Sequence, residues 1–369
     1  MIAMVGAGQL ARMTHQAAIG LGVELRVLAA APDDPAVLAG AAHHIGDPAD
    51  LEALRALAAD AEVLTFDHER VPPEHLQALE RSGVRVAPGA AAKLLAQDKL
   101  VARRTLAALG FPVPPFAHVT THDELERFAR RHGPEIVVKA VRGGYDGRGV
   151  RTLDIAGDGL GELPAGGLLA EPLLAVEREL SVLLARSADG TTALYPVIET
   201  VQRDAMCREL RVPAPIPEAD AVAAQRLATA IAEAIGATGV MAVELFVTAE
   251  GLVVNELALR PHNTGHWTIE GAETSQFEQH LRAVLGWPLG DASLRAGAVA
   301  TVNVVGTEDG GDPATHLAHA LATPGAHVHL YGKAPRPGRK LGHVTVCGEE
   351  PEVVRERALL AAARLEGRA

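Results

Sequence analysis

Aromatic residues make up only 3% of this 369-residue chain, so its cores must be packed from Ala, Leu and Val. Those are plentiful, since 48% of residues are hydrophobic. Cysteine is almost missing. Cys207 and Cys347 stand far apart without metal-type spacing, which excludes a disulfide framework and points to a reducing compartment. No uninterrupted apolar run approaches the roughly 18 residues of a membrane span, and the chain enters a strand at once, with no charged-then-apolar leader. Positive charge is in deficit too. Lys and Arg number 34 against 46 Asp and Glu, a net charge of −12 that argues against a general nucleic-acid surface. Any phosphate ligand must meet local positive charge instead. These absences leave a cytoplasmic protein of two or three domains that binds neither nucleic acid nor membrane.

What is present concentrates between Met241 and His266. Two apolar runs, Val240–Val247 and Leu252–Leu257, flank the turn Ala249-Glu250-Gly251 and predict a β-hairpin. Each run carries one acid in a core-like position, Glu244 and Glu256, the second beside Asn255. Two carboxylates on adjacent strands repel and resist burial unless a cation lies between them, and Mg²⁺ suits hard oxygen ligands beside phosphate. The plainer alternative is a hairpin whose acids face solvent. Arg260-Pro261-His262-Asn263-Thr264-Gly265-His266 follows at once, a loop whose cation, imidazoles and amide suit a small anion.

The chain begins with the strand Ile2–Val5, then Gly6-Ala7-Gly8-Gln9-Leu10 and a helical pattern to Leu21. Such a turn directs backbone N–H groups at an anion. A nicotinamide site is disfavoured, because the second strand, Val23–Leu28, has no acid at its tip. Strand Val63–Phe66 runs into Asp67-His68-Glu69, placing Glu69 where open α/β sheets bind ligands. A single helix is predicted over Lys93–Leu109, its Lys99, Arg103 and Arg104 reading as a solvated face. Lys139 stands near the end of the apolar strand Glu135–Ala140, where a lysine calls for an anion. After it comes Arg142-Gly143-Gly144-Tyr145-Asp146-Gly147-Arg148-Gly149; four glycines in that stretch suit a loop folding over phosphates more than a plain hairpin turn. Strand Leu168–Pro172 ends in Glu171, and Pro172, Leu173 and Leu174 continue it as a slot for a flat base. Glu177 or Glu179 could hold ribose hydroxyls; spacing does not choose between them. Helices are predicted over Gln225–Ile235, Ser275–Leu285 and Pro351 to about Glu366, and a strand over Ala298–Val305. In the tail, Lys333, Arg339 and Lys340 on a Pro/Gly-stiffened loop look like an anion clamp rather than a basic solvent loop.

Taken together, Gly6-Ala7-Gly8-Gln9-Leu10, Gly143-Gly144-Tyr145-Asp146-Gly147-Arg148-Gly149, Asn255-Glu256-Leu257-Ala258, Arg260-Pro261-His262-Asn263-Thr264-Gly265-His266-Trp267 and Arg336-Pro337-Gly338-Arg339-Lys340 closely resemble the N5-carboxyaminoimidazole ribonucleotide synthetase family of ATP-grasp enzymes. The likeness spans nearly the whole chain. It implies an α/β (α+β) ATP-grasp fold: a Rossmann-like pre-ATP-grasp domain at 1–92, an ATP-grasp domain at 93–296 with a lid near 112–172, and a small β-rich domain at 297–369. The implied reaction joins bicarbonate to 5-aminoimidazole ribonucleotide at the expense of ATP, through carboxyphosphate.

By resemblance, Glu244 and Glu256 hold Mg²⁺, with room for a second ion and Mn²⁺ as a substitute. Lys99, Lys139, Gly144, Gly147 and Asn255 attend ATP, with Glu171, Pro172, Leu173 and Leu174 at the adenine and Glu179 at the ribose. Arg260, His262 and Asn263 surround the bicarbonate-derived group. The aminoimidazole nucleotide lies among Glu69, Tyr145, Asp146 and Arg148, its phosphate meeting Gly8, Gln9, Leu10, Lys333, Arg339 and Lys340. A homodimer is the implied assembly. Leu259, Thr264 and Asp67 depart from the family's usual proline, serine and glutamate, and Leu259 puts the aim of Arg260 in doubt. A formate-using transformylase of the same fold would share the acids but not the Gly-rich lid. A regulator with a dead site would have lost Lys139, Glu244 or Glu256, and an oxidoreductase would bind NAD.

Overall fold

Ile2–Val5 is apolar at every position and buried at every position, as a parallel strand covered on both faces must be. It lies inside a four-stranded parallel sheet ordered Ala42–Ile45, Leu25–Ala29, Ile2–Val5, Val63–Phe66. The structure is a computed structural model that describes residues 1–144, 149–155, 163–164 and 166–369. Tyr145, Asp146, Gly147 and Arg148, four of the residues assigned to the lid, lie outside the described residues.

The remaining described strands form two antiparallel sheets. Ala117–Val119, Leu168–Pro172, Glu135–Ala140 and Val150–Asp154 make a small one in that order. The large one is nine-stranded and starts at the hairpin, Gly251–Ala258 then Gly239–Thr248. It continues through Arg178–Arg186, Ile198–Arg203, Met206–Val212, Ala298–Val305, Lys340–Gly348 and Ala326–Leu330, with Thr192–Leu194 beside Arg178–Arg186. The C-terminal strands therefore extend the same sheet, because Met206–Val212 pairs directly with Ala298–Val305. Helix Pro351–Leu365 covers their outer face through Val354, Ala358 and Leu365 against Val302, Val304 and Val344.

Helix Gln276–Leu285 joins the first sheet to the large one. Its Leu281 and Val284 pack with Ile2 and Met4. Its His280 lies 2.7 Å from Thr65 Oγ1 and accepts the Val240 N–H at 3.1 Å, so three elements meet at one imidazole.

Two expectations need correction. The helix expected over Lys93–Leu109 is two helices, Ala90–Gln97 and Lys99–Ala108. Asp98 separates them: its backbone is extended, and its carboxylate accepts the Val101 N–H at 2.9 Å, an N-cap that competes with a continuous helix. The helix expected to begin at Gln225 starts earlier, at Glu218. Strands Ile198–Arg203 and Met206–Val212 went unrecognised because charges interrupt their apolar alternation. Those charges are satisfied laterally, Glu209 by Arg211 at 2.7 Å and Arg355 at 2.5 Å.

Candidate active site

The hairpin forms as expected, and its register sets Glu244 directly opposite Glu256. The apolar row on this face, Val240 and Ala242 with Ala258, belongs to a core and gives way to acid where the cleft opens. A bulge between Glu244 and Leu245 breaks the regular ladder at that point. Burial, reinforced by the neighbouring charges of Glu256 and Glu179, pushes the Glu244 carboxyl up to about 7. Glu256 has a cation of its own, Lys99 Nζ at 2.6 Å. Among the described residues, Glu244 is paired with the imidazole of His262, Nε2 at 3.6 Å, while the charges of Lys99 and Lys340 act to lower it. Two paired carboxylates, one of them poorly neutralised by protein groups, form a hard-oxygen donor set that fits a divalent cation.

Around the pair the cations are strongly committed. Lys139 Nζ lies 2.7 Å from Glu171 Oε2 and 3.2 Å from Asn255 Oδ1. Arg103 takes the other oxygen of Glu171 at 2.5 Å and reaches the Asn255 carbonyl at 2.7 Å. Arg103 is thus buried, not part of a solvated face, and the Glu171 carboxylate is fully engaged. In the segment after Glu171, the side chain of Leu173 is exposed. Glu179 stands opposite Phe246 in the sheet, its carboxyl raised mainly by burial.

Glu69 is the opposite case to Glu244. Burial alone would raise it, but Lys93 at 2.6 Å and Arg260 at 3.0 Å prevail and hold it down at about 2. Lys93 is fully buried, its ammonium also over the Phe66 ring, so this pair closes one wall of the cleft. The expected Arg260–Asn263 loop lies beside it. Gln276 grips its backbone from both sides, accepting the His262 N–H at 2.8 Å and donating to the His262 carbonyl at 2.7 Å. A Cβ on Gly265 would lie 2.4 Å from the Gln276 Oε1, so only glycine permits this grip. Burial, with Arg260 and Lys340 nearby, pushes the His262 imidazole down to about 3. Both side-chain polar atoms of Asn263 are buried without a hydrogen-bond partner among the described residues.

The Gly-rich turn opens helix Gln9–Leu21 as expected, but its Gly8 N–H already donates to Asp67 Oδ2 at 2.8 Å. Gly6, at φ +108°, is required here because a Cβ would lie 1.6 Å from the Asp67 carboxylate. The tail reaches the same wall: buried Tyr331 packs on Leu10 and Met13, and Lys333 lies 5.5 Å over the Tyr331 ring. Lys340 is buried, and its charge bears on both Glu244 and His262. Arg339 donates to the Ala334 carbonyl at 3.0 Å.

Sequence reasoning missed Lys93, Arg103 and Gln276. A signal existed for two of them: Lys99 and Arg103 share a helix face at a spacing of four, and Lys93 interrupts the otherwise apolar Ala90–Leu95. Gln276 offered none.

Comparison with known proteins identifies the family. The ribonucleotide synthetase preATP-grasp domain matches residues 1–97, the ATP-grasp domain 104–277, and the phosphoribosylaminoimidazole carboxylase C-terminal domain 299–357. The N5-carboxyaminoimidazole ribonucleotide synthase of Mycobacterium tuberculosis is 54% identical over 98% of this chain and 87% of its own. That of Corynebacterium ammoniagenes is 44% identical over 98% and 91%. Among solved structures, the Thermus thermophilus synthetase superposes with a TM-score of 0.89 at 37% identity, covering 99% of this chain and 98% of that one. The Aspergillus clavatus synthase, in complex with ADP and 5-aminoimidazole ribonucleotide, gives 0.91 at 30% identity over 99% and 98%. The chain belongs to the N5-carboxyaminoimidazole ribonucleotide synthase family of ATP-grasp ligases.

Proposed function

We propose that the chain carboxylates 5-aminoimidazole ribonucleotide on its exocyclic amine, using ATP and bicarbonate, in purine biosynthesis. The observation that carries this reading is the cleft in which the Glu244–Glu256 pair faces the Arg260–Asn263 loop while Lys340 enters from the tail. Metal-type acids, an anion loop and a distant basic clamp are what a reaction among three anions requires.

Glu244 and Glu256 would hold Mg²⁺, which supplies charge neutralisation and alignment of the triphosphate. Lys99 and Lys139 would attend its phosphates, exchanging their present carboxylate partners for phosphate oxygens. Asn255 sits between Lys139 and Arg103, within reach of the same phosphates. Residues 171–174 would line the adenine slot, and Glu179 the ribose. Arg260, His262 and Asn263 would bind the bicarbonate-derived group, and the unpartnered Asn263 amide supports that placement. Glu69, Tyr145, Asp146 and Arg148 would attend the aminoimidazole nucleotide. Its phosphate would lie between Lys333, Arg339, Lys340 and the helix start at Gln9 and Leu10, the Gly8 N–H being held by Asp67. Bicarbonate would attack the γ-phosphate with ADP leaving, and the amine would capture the carboxyl carbon of the resulting carboxyphosphate, expelling phosphate and losing a proton. The same reading expects a cytoplasmic homodimer with boundaries near 92 and 296. The test is ADP release measured with each substrate omitted in turn. Release should require Mg²⁺ and rise with bicarbonate and the aminoimidazole nucleotide together; release indifferent to the nucleotide would overturn the assignment.

A further inference from the structure

We infer that Thr264 is a positioning residue that fixes the tautomer of His262, holding Nδ1 as an acceptor and presenting an Nε2–H to the cleft. Nδ1 of His262 lies 2.9 Å from the Thr264 hydroxyl oxygen. The Thr264 backbone N–H is directed at the same nitrogen at 3.5 Å, the side chain capping the short turn Asn263–Gly265. The hydroxyl, the nearer of the two, and the N–H can both donate to a bare Nδ1, and losing either weakens the preference for that tautomer. The Thr264 hydroxyl then donates to Nδ1 and accepts from Ser181 Oγ, 2.9 Å away.

Every member of this chain is fixed. Ser181 and Thr264 are buried, Ser181 stands opposite Glu244 in the sheet, and Gln276 holds the His262 backbone. The remaining ring nitrogen, Nε2, points toward Glu244 Oε1 at 3.6 Å. Protonated there, His262 donates a hydrogen bond into the cleft and has no lone pair at that atom with which to act as a base. The ligand class this serves is an anionic oxygen. Identifying it with the bicarbonate-derived group rests on the proposed function, but the tautomer assignment does not.

The experiment is long-range proton–nitrogen correlation NMR on the full chain carrying isotope-labelled histidine, with the His262 signals identified by their loss in His262→Gln. The wild-type ring should show the Nε2–H pattern, and Thr264→Ser should keep it. Thr264→Val, which retains the backbone N–H but not the hydroxyl, should give a mixed pattern and lower kcat/KM for bicarbonate about tenfold while leaving KM for ATP unchanged. A wild-type ring protonated at Nδ1 overturns the inference, as does a Thr264→Val ring identical to wild type. An Nε2–H ring that becomes mixed in Thr264→Val without any change in kcat/KM supports the tautomer assignment and counts against bicarbonate as the anion.

Discussion

Two glutamates in one cleft are driven in opposite directions. Glu69 sits against Lys93 and Arg260, which hold its carboxyl at about 2 despite its burial. Glu244 sits near Glu256 and Glu179, and burial together with those charges pushes it up to about 7. Both are carboxylates next to the same loop, yet one is electrostatically complete and the other is not. The difference separates a wall from a proposed cation site. Glu69 and Lys93 fix the position of Arg260, whereas Glu244 has no Lys or Arg ion pair among the described residues.

The sharpest way to break the contrast is Glu244→Gln. Turnover should fall by at least about a hundredfold, since one of the two carboxylates proposed to hold Mg²⁺ is lost. The ligand-free protein should nevertheless become more stable at pH 8, because a neutral amide removes the repulsion. The sign follows from the shift. A carboxyl raised to about 7 favours the folded state fully below its ordinary value, and that contribution fades as pH rises from about 4.5 to 7. Thermal unfolding at pH 5 and pH 8 should therefore show wild type losing stability across this range more steeply than Glu244→Gln. Equal slopes would mean Glu244 titrates normally.

The opposite acid should respond in the opposite way. Lys93→Met strips Glu69 of its fully buried partner and should cost about 3 kcal/mol in denaturant unfolding, as expected for breaking a buried pair from one side. Glu69's lowered carboxyl supports the fold above about 4.5 and loses that support as pH falls toward 2. Lys93→Met should flatten this acid limb. A variant as stable as wild type would show that the Glu69 wall contributes nothing.

The smallest expected effect tests the tail. Lys340→Ala should raise KM for the aminoimidazole nucleotide about tenfold while leaving that for ATP within a factor of about two. Its charge also lowers the Glu244 carboxyl, so the variant should shift the alkaline loss of stability to higher pH. A larger rise in KM for ATP would place the clamp on the wrong substrate.

How much of this was legible in the sequence depends on the range of the interaction. The Glu244–Glu256 pairing was local: one turn joins the strands, and register follows from it. The Arg260–Asn263 loop, Lys139 and the basic tail loop also stood out as charges in apolar or glycine-rich surroundings. Partners distant in sequence did not. Arg103 meets Glu171 across 68 residues and Glu69 meets Arg260 across 191, and nothing in either segment specifies the other. The break at Asp98 was hidden because Lys93–Leu109 is helical on both sides, and only the cap geometry reveals the interruption. The Asp67 carboxylate on the Gly8 N–H is the most instructive miss. A turn that reads as an anion seat has one donor already filled from within.

The central claim is that the Glu244–Glu256 pair waits for a cation, and proton counting tests it most directly. Calorimetric titration of Mg²⁺·ADP at pH 6.5, repeated in buffers of different ionisation enthalpy, reports the protons released on binding. Wild type should release most of one proton from Glu244, which is mainly protonated at that pH, and Glu244→Gln should release almost none. The same proton count in both proteins would contradict the account.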